Sequence, residues 1–189
     1  MENQASIQRT RLTFRELSEL AGGNGMAVAL LTDESDKRAL SVICDRPMTD
    51  QLAMRLNRQP NTRILLPEVL VGMMMSDGQS ADNFELFIHD IVDGQYMVSL
   101  LNKQTLVLRP IRVSDAVLLS YISHIPLYID EELMKKQSSA YSPLAEGVSI
   151  PLNTIDTARL NAALDKAISE ENYRLASQLQ EEIKKRLKN

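Results

Sequence analysis

The sequence predicts an α+β fold, a mixed sheet of hairpin and meander packed by helices, followed by a C-terminal α-helical hairpin. Three observations carry this. Apolar runs of strand length are separated by turn signals at Asp33–Lys37 and at Asp93-Gly94. Stretches with helical spacing follow Pro47 and Pro67, residues suited to a first helical turn. In the last part of the chain Leu160, Ala163, Leu164, Ala167 and Ile168 recur at i, i+3, i+4, i+7, i+8. At 189 residues the chain has room for one well-buried domain and an appendage rather than two full cores. The expected division is a sheet domain over residues 1–136, a linker over 137–152 and a helical hairpin over 153–189.

In chain order, Thr10, Leu12 and Phe14 alternate with polar residues as in a strand, although Thr13 to Glu16 also has capping-box spacing. Gly22 to Gly25 makes a loop. Met26–Leu31 and Arg38–Cys44 then form a hairpin. Helices are expected near 48–57 and 66–76, the second stopping at Ser76-Asp77-Gly78. Phe84–Val92, Gln95–Leu101 and Thr105–Arg109 make the meander, Ser114–Ser123 a helix, and Leu127–Ile129 a short strand. From Gln137 to Pro151 no apolar period is visible, hence the linker. In the tail, Leu160, Leu164 and Ile168 are expected to face Ala176, Leu179 and Ile183 across a turn at Glu171-Asn172. Asn172 would cap the second helix and Tyr173 would cover the open end of the pair.

Composition sets bounds on function. Hydrophobic residues are 44% and charged residues 24%, the balance of a globular protein. No apolar run is long enough to cross a bilayer and the first residues have no leader pattern, so a cytoplasmic protein is expected. Net charge is −4, which gives nucleic-acid binding no bulk support. Arg46, Arg55, Arg58 and Arg63 fall in one stretch and read as an exposed helix face, with a local basic patch as the alternative. Cys44 sits in an apolar run as a buried thiol, and Met73 to Met75 read as core packing. His89 and His124 lack a partner at ligand spacing, which argues against zinc. Gly22 to Gly25 has no following Lys-Ser/Thr and is a turn rather than a phosphate loop.

The run Ile111-Arg112-Val113-Ser114-Asp115-Ala116-Val117-Leu118-Leu119, followed by Ile125-Pro126-Leu127-Tyr128-Ile129, resembles the bifunctional nuclease family. That family's pattern reads Asp-Ala-Arg-Pro-Ser-Asp-Ala-Ile-Ala-Leu and then Pro-Ile-Tyr-Val, so Arg112, Ser114, Asp115 and Ala116 match. The stretch from Leu164 to Ile183, with its Glu171-Asn172-Tyr173 corner, resembles the UVR motif of excision-repair proteins, which commonly follows this domain. The chain departs from the family at four acidic or histidine positions. Met48 stands where the family has a glutamate, Pro67-Glu68 where it has His-Asp, and Pro110 where it has an aspartate.

The resemblance implies a hydrolase cutting DNA or RNA with the help of a divalent ion, Mg2+ by analogy. Glu68 and Asp115 would be the catalytic carboxylates and metal ligands, and Arg63 and Arg112 would bind the substrate phosphate. Read from the residues alone, Ser114-Asp115 is first a helix start, with Ser114 as cap and Asp115 in the first turn. A second reading therefore stays open: a weak or inactive relative acting as a dimeric scaffold whose tail, residues 153–189, binds a protein partner. Both readings imply a homodimer, and neither implies a membrane.

Overall fold

The structure, a computed structural model, describes residues 8–20, 24–141 and 155–186. It divides into two compact units, one formed by the chain up to Asp90 together with Met97 onward through the first part of the sequence, the other by Ile91–Tyr96 together with the tail. Among the described residues eight strands form one mixed sheet in the order β6-β5-β4-β7-β1-β2-β3-β8. They are β1 Arg9–Glu19, β2 Ala27–Asp33, β3 Arg38–Cys44, β4 Phe84–Val92, β5 Gln95–Asn102, β6 Val107–Ile111, β7 Leu127–Asp130 and β8 Ser139–Ala140. Strand β7 joins the group β6-β5-β4 to the group β1-β2-β3-β8, pairing antiparallel with β1 and parallel with β4. Every residue of β2 is buried, so both faces of the sheet are covered there, and a continuous apolar run rather than an alternating one is what such a strand needs.

The helices of the first unit are α1 Arg46–Leu56, α2 Leu66–Met74, α3 Val113–Ser123 and α4 Glu131–Gln137. Asp45 starts α1, its side chain accepting from the N–H of Met48, with Pro47 in the first turn. Helix α3 contacts β3 and β7, and its Tyr121 ring meets Phe14 of β1 edge-on at 5.6 Å. Leu31, Leu40, Leu52, Leu86, Ile88, Ile125 and Ile129 are fully buried in the core of this unit.

Several local expectations are corrected. Helix α3 begins after Arg112, not at a Ser114 cap; Ser114 is inside the helix and buried, because Val113 already has helical geometry. Strand β6 starts at Val107 rather than Thr105, since Asn102 Oδ1 accepts from the N–H groups of Gln104 and Thr105 and holds them in a turn that ends at Leu106 with φ +56°. Arg55 is not on an exposed face; its side chain is buried. Past Ile129 the chain adds α4, capped by Asp130, and β8 on the edge of β3. These elements are too short to show a period.

Arg38 ties α4 to the β2–β3 turn. Its Nε donates to Asp33 Oδ2 at 3.0 Å and its Nη1 to Glu131 Oε1 at 2.9 Å, and Thr10 also donates to Glu131. Burial pushes Asp33 up, but donation from Arg38 and from the backbone of Lys37 and Arg38 outweighs it and leaves the carboxyl below its ordinary value. Arg38 and Thr10 lower Glu131 likewise. A carboxylate lowered in the folded state adds stability that is complete above its unfolded value and lost as pH falls through the folded one. Urea midpoints are therefore expected to be flat from neutral pH down to the ordinary values, 4.5 for Glu131 and 3.8 for Asp33, and to fall below them. Arg38→Ala should lower the midpoint at pH 7 and shrink the acid loss; an equally steep acid loss in the variant would refute this role.

The second unit sets the β4–β5 turn against α5 Thr157–Ser169 and α6 Tyr173–Arg186. The two helices enclose Leu160, Ala167, Ala176 and Leu179, with Ile155, Ala163, Leu164 and Ile183 packed around them. Asp156 caps α5 through the N–H of Arg159, and Asn172 caps α6 through the N–H of Leu175 at 3.2 Å, the latter as expected. Two other expectations fail. Ile168 is 54% exposed, because the pair closes on the small residues Ala167 and Ala176, and the next residue on α5 then points about 100° away. Tyr173 is 70% exposed and covers nothing, since the N–H of Asn172 donates to the carbonyl of Ala167 at 2.8 Å and the backbone itself shuts that end.

Within this unit Asp93 receives both ends of the helical pair. Its Oδ1 accepts from Thr157 Oγ1 at 2.7 Å and from Arg186 Nη1 at 3.3 Å. Asp93 and Gly94 have φ of +47° and +76°, the left-handed pair of a two-residue hairpin turn. A Cβ at Gly94 would stand 2.7 Å from the carbonyl oxygen of Ile155.

Candidate functional site

The residues with chemistry gather where α1 and α3 begin. Asp45 precedes α1 and Arg112 precedes α3, and the two helices pack together. The positive ends of two helices therefore flank this point, a setting that favours anions. Arg112 Nε donates to Asp115 Oδ2 at 2.6 Å and Nη2 to Asp115 Oδ1 at 3.1 Å, a two-pronged pair within one helical turn. Its Nη1 reaches Asp45 Oδ2 at 3.3 Å. The Arg112 side chain is 63% exposed and so faces solvent and any incoming ligand. Donation to Asp115 first, then the charge of Asp45, raises the pKa of Arg112 further above its ordinary value. The guanidinium is a permanent cation here.

Under this cluster lies Cys44, the last residue of β3. Burial, with the charges of Asp45 and Asp115 adding to it, pushes its thiol up to about 11, so it stays protonated and takes no part in nucleophilic chemistry at neutral pH.

Of the four residues singled out from the sequence, the structure brings together Arg112 and Asp115. Glu68 is engaged elsewhere: Arg55 donates to Oε1 through Nε at 2.9 Å and to Oε2 through Nη2 at 2.6 Å, and Arg55 also holds the carbonyl and side chain of Gln51. This pair fastens α2 to α1. Arg63 lies exposed in a short 3-10 turn, Thr62–Ile64, before α2. Asp45 was not among the candidates. Its signal was present as an acidic residue two positions before a proline that opens a helix, but its approach to Arg112 joins residues 67 apart and no local pattern reports that.

The donor set does not suit a resident magnesium ion in this arrangement. Both oxygens of Asp115 accept from Arg112, and Asp45 accepts from Met48 and Arg112. Among the described residues no group of three or more His, Cys, Asp or Glu is placed to hold a metal. Nor is any helix among them long and apolar enough to cross a membrane.

No curated protein matches the chain. The family model of the bifunctional nuclease domain matches residues 29–142, a span that begins in β2, ends after β8 and contains the whole Asp45–Arg112–Asp115 cluster. With more than half of its length accounted for in this way, the chain belongs to the bifunctional nuclease domain family.

Proposed function

We propose that this protein hydrolyses phosphodiester bonds in DNA or RNA at the Asp45–Arg112–Asp115 cluster. The observation that supports the reading most is an exposed guanidinium held between two carboxylates at the start of two helices, inside the span that matches the family. Arg112 would neutralise the scissile phosphate. On binding, the phosphate competes for the guanidinium and releases Asp115, which takes a proton from water as the water oxygen attacks phosphorus and the bond to the leaving ester oxygen breaks. Asp45 keeps Arg112 in place. Glu68, with both oxygens on Arg55, supports the helices rather than the reaction.

The protein is proposed to work in the cytoplasm as a homodimer, with residues 153–189 acting as a UVR-type hairpin that binds a protein partner. The exposed Ile168 and Tyr173 support the partner role. The scaffold reading keeps a specific support of its own, because each carboxylate in the cluster is already satisfied.

The test is hydrolysis of single- and double-stranded DNA and of RNA by the purified chain, with magnesium, with manganese and with chelator. Cleavage is expected to fall by about two orders of magnitude in Asp115→Ala and in Arg112→Ala with the circular dichroism spectrum unchanged. Activity that requires magnesium would mean that Arg112 leaves Asp115 when the ion enters. Absence of cleavage under every condition, or full activity in Asp115→Ala, would defeat the hydrolase reading and leave the scaffold.

A further inference from the structure

Helix α2 contributes no buried residue, although it is the most apolar helix of the first unit. Leu66 and Met73 are 79% and 69% exposed, Val69 and Leu70 nearly half exposed, and Ile64 just before the helix is exposed as well. Elsewhere in this unit helices bury such residues: Met48 and Leu52 of α1, and Val117 to Leu119 of α3, are inside. The one charged side chain on α2, Glu68, is spent on Arg55, so the outward face carries no charge. A Cβ at Gly72 would meet nothing within 4 Å, which places bare backbone on the same helix.

We infer that this face is where a second copy of the chain seats, with α2 lying antiparallel against the partner's α2 across a two-fold axis near Leu70. This rests on the homodimer reading above and gives it a location. Two features select a copy of this chain over another occupant. Arg63 and Asp77 stand at equal distances in sequence on either side of Leu70, one before the helix and one after it, both exposed. An antiparallel pairing about Leu70 brings Arg63 of each copy towards Asp77 of the other, so the surface is complementary to itself in charge as an isologous contact must be. The second feature is the patch itself: Ile64, Leu66, Val69, Leu70 and Met73 are exposed together, where a monomer ordinarily shows large apolar residues singly.

Sedimentation equilibrium of the full chain from about 1 to 100 µM tests this. The wild-type chain is expected to dimerise in that range, and Leu70→Asp and Met73→Asp to be monomeric with unchanged circular dichroism, both positions being exposed. Arg63→Asp should weaken the dimer about tenfold, and adding Asp77→Arg should restore it. A dimer indifferent to Leu70→Asp and Met73→Asp would overturn the α2 location and leave the homodimer reading standing. A double variant no tighter than Arg63→Asp alone would overturn the antiparallel arrangement, and a monomeric wild-type chain would overturn both readings.

Discussion

Glu68→Ala is expected to destabilise the first unit by about 3–5 kcal/mol, measured as a lower urea midpoint with an unchanged slope. The Arg55 side chain is 5% exposed and its two outer nitrogen atoms and Nε are shared between Glu68 and Gln51. Removing the carboxylate leaves a largely buried cation without its partner. That cost exceeds what the intact pair contributes, because breaking a buried pair strands one charge whereas replacing both partners does not. Arg55→Met together with Glu68→Leu should therefore recover most of the loss. The same measurement separates two roles for Glu68. A catalytic carboxylate would cost activity and little stability; if Glu68→Ala unfolds at the wild-type urea concentration while cleavage disappears, the supporting role assigned to it here is wrong.

Gly94→Val is expected to cost the second unit about 2–4 kcal/mol. A β-branched residue in the left-handed region is strained by about 1–2 kcal/mol, and its Cβ would meet the Ile155 carbonyl well inside contact distance, so backbone must move as well. Amide hydrogen exchange reads this by segment. Protection should drop in α5 and α6 and stay near wild type in β2, β3 and α3. Protection in α5 and α6 equal to wild type would show that the turn is not part of what holds the helical pair.

The contrast between these two sites shows what the sequence makes legible. Asp93-Gly94 is read directly, because only residues tolerant of positive φ make a two-residue hairpin turn, and the strands on either side follow from it. Asn172 as a cap and Pro47 as a helix opener are equally local. The Glu68–Arg55 pair is not legible, since nothing within either helix says that the two are neighbours, and the resemblance assigned Glu68 to chemistry instead. Asp115 beside Arg112 could be read because both lie in one turn, whereas Asp45 could not, because the sheet and the packing of α1 on α3 bring it there. Ile168 and Tyr173 went wrong for a related reason. An apolar stripe says which residues can face inward, but the choice between Ala167 and Ile168 was made by how closely the second helix approaches. Met73 to Met75 read as core from the sequence, but Met73 is exposed, because a helical stripe carries no mark of what covers it.

The position of β7 has a consequence for how the protein is made. The chain lays down β1 to β3 and then β4 to β6 as two meanders, and the strand that unites them, β7, is not synthesised until residues 127–130. Until then the inner edges of the two groups, β1 and β4, lack the strand that will lie between them. Neither can be completed by local contacts, so closure waits for a pairing of high sequence separation, Arg9 with Asp130 and Leu12 with Leu127. An unpaired strand edge is a template for pairing with other chains, so the late arrival of β7 lengthens the time for which β1 and β4 present one.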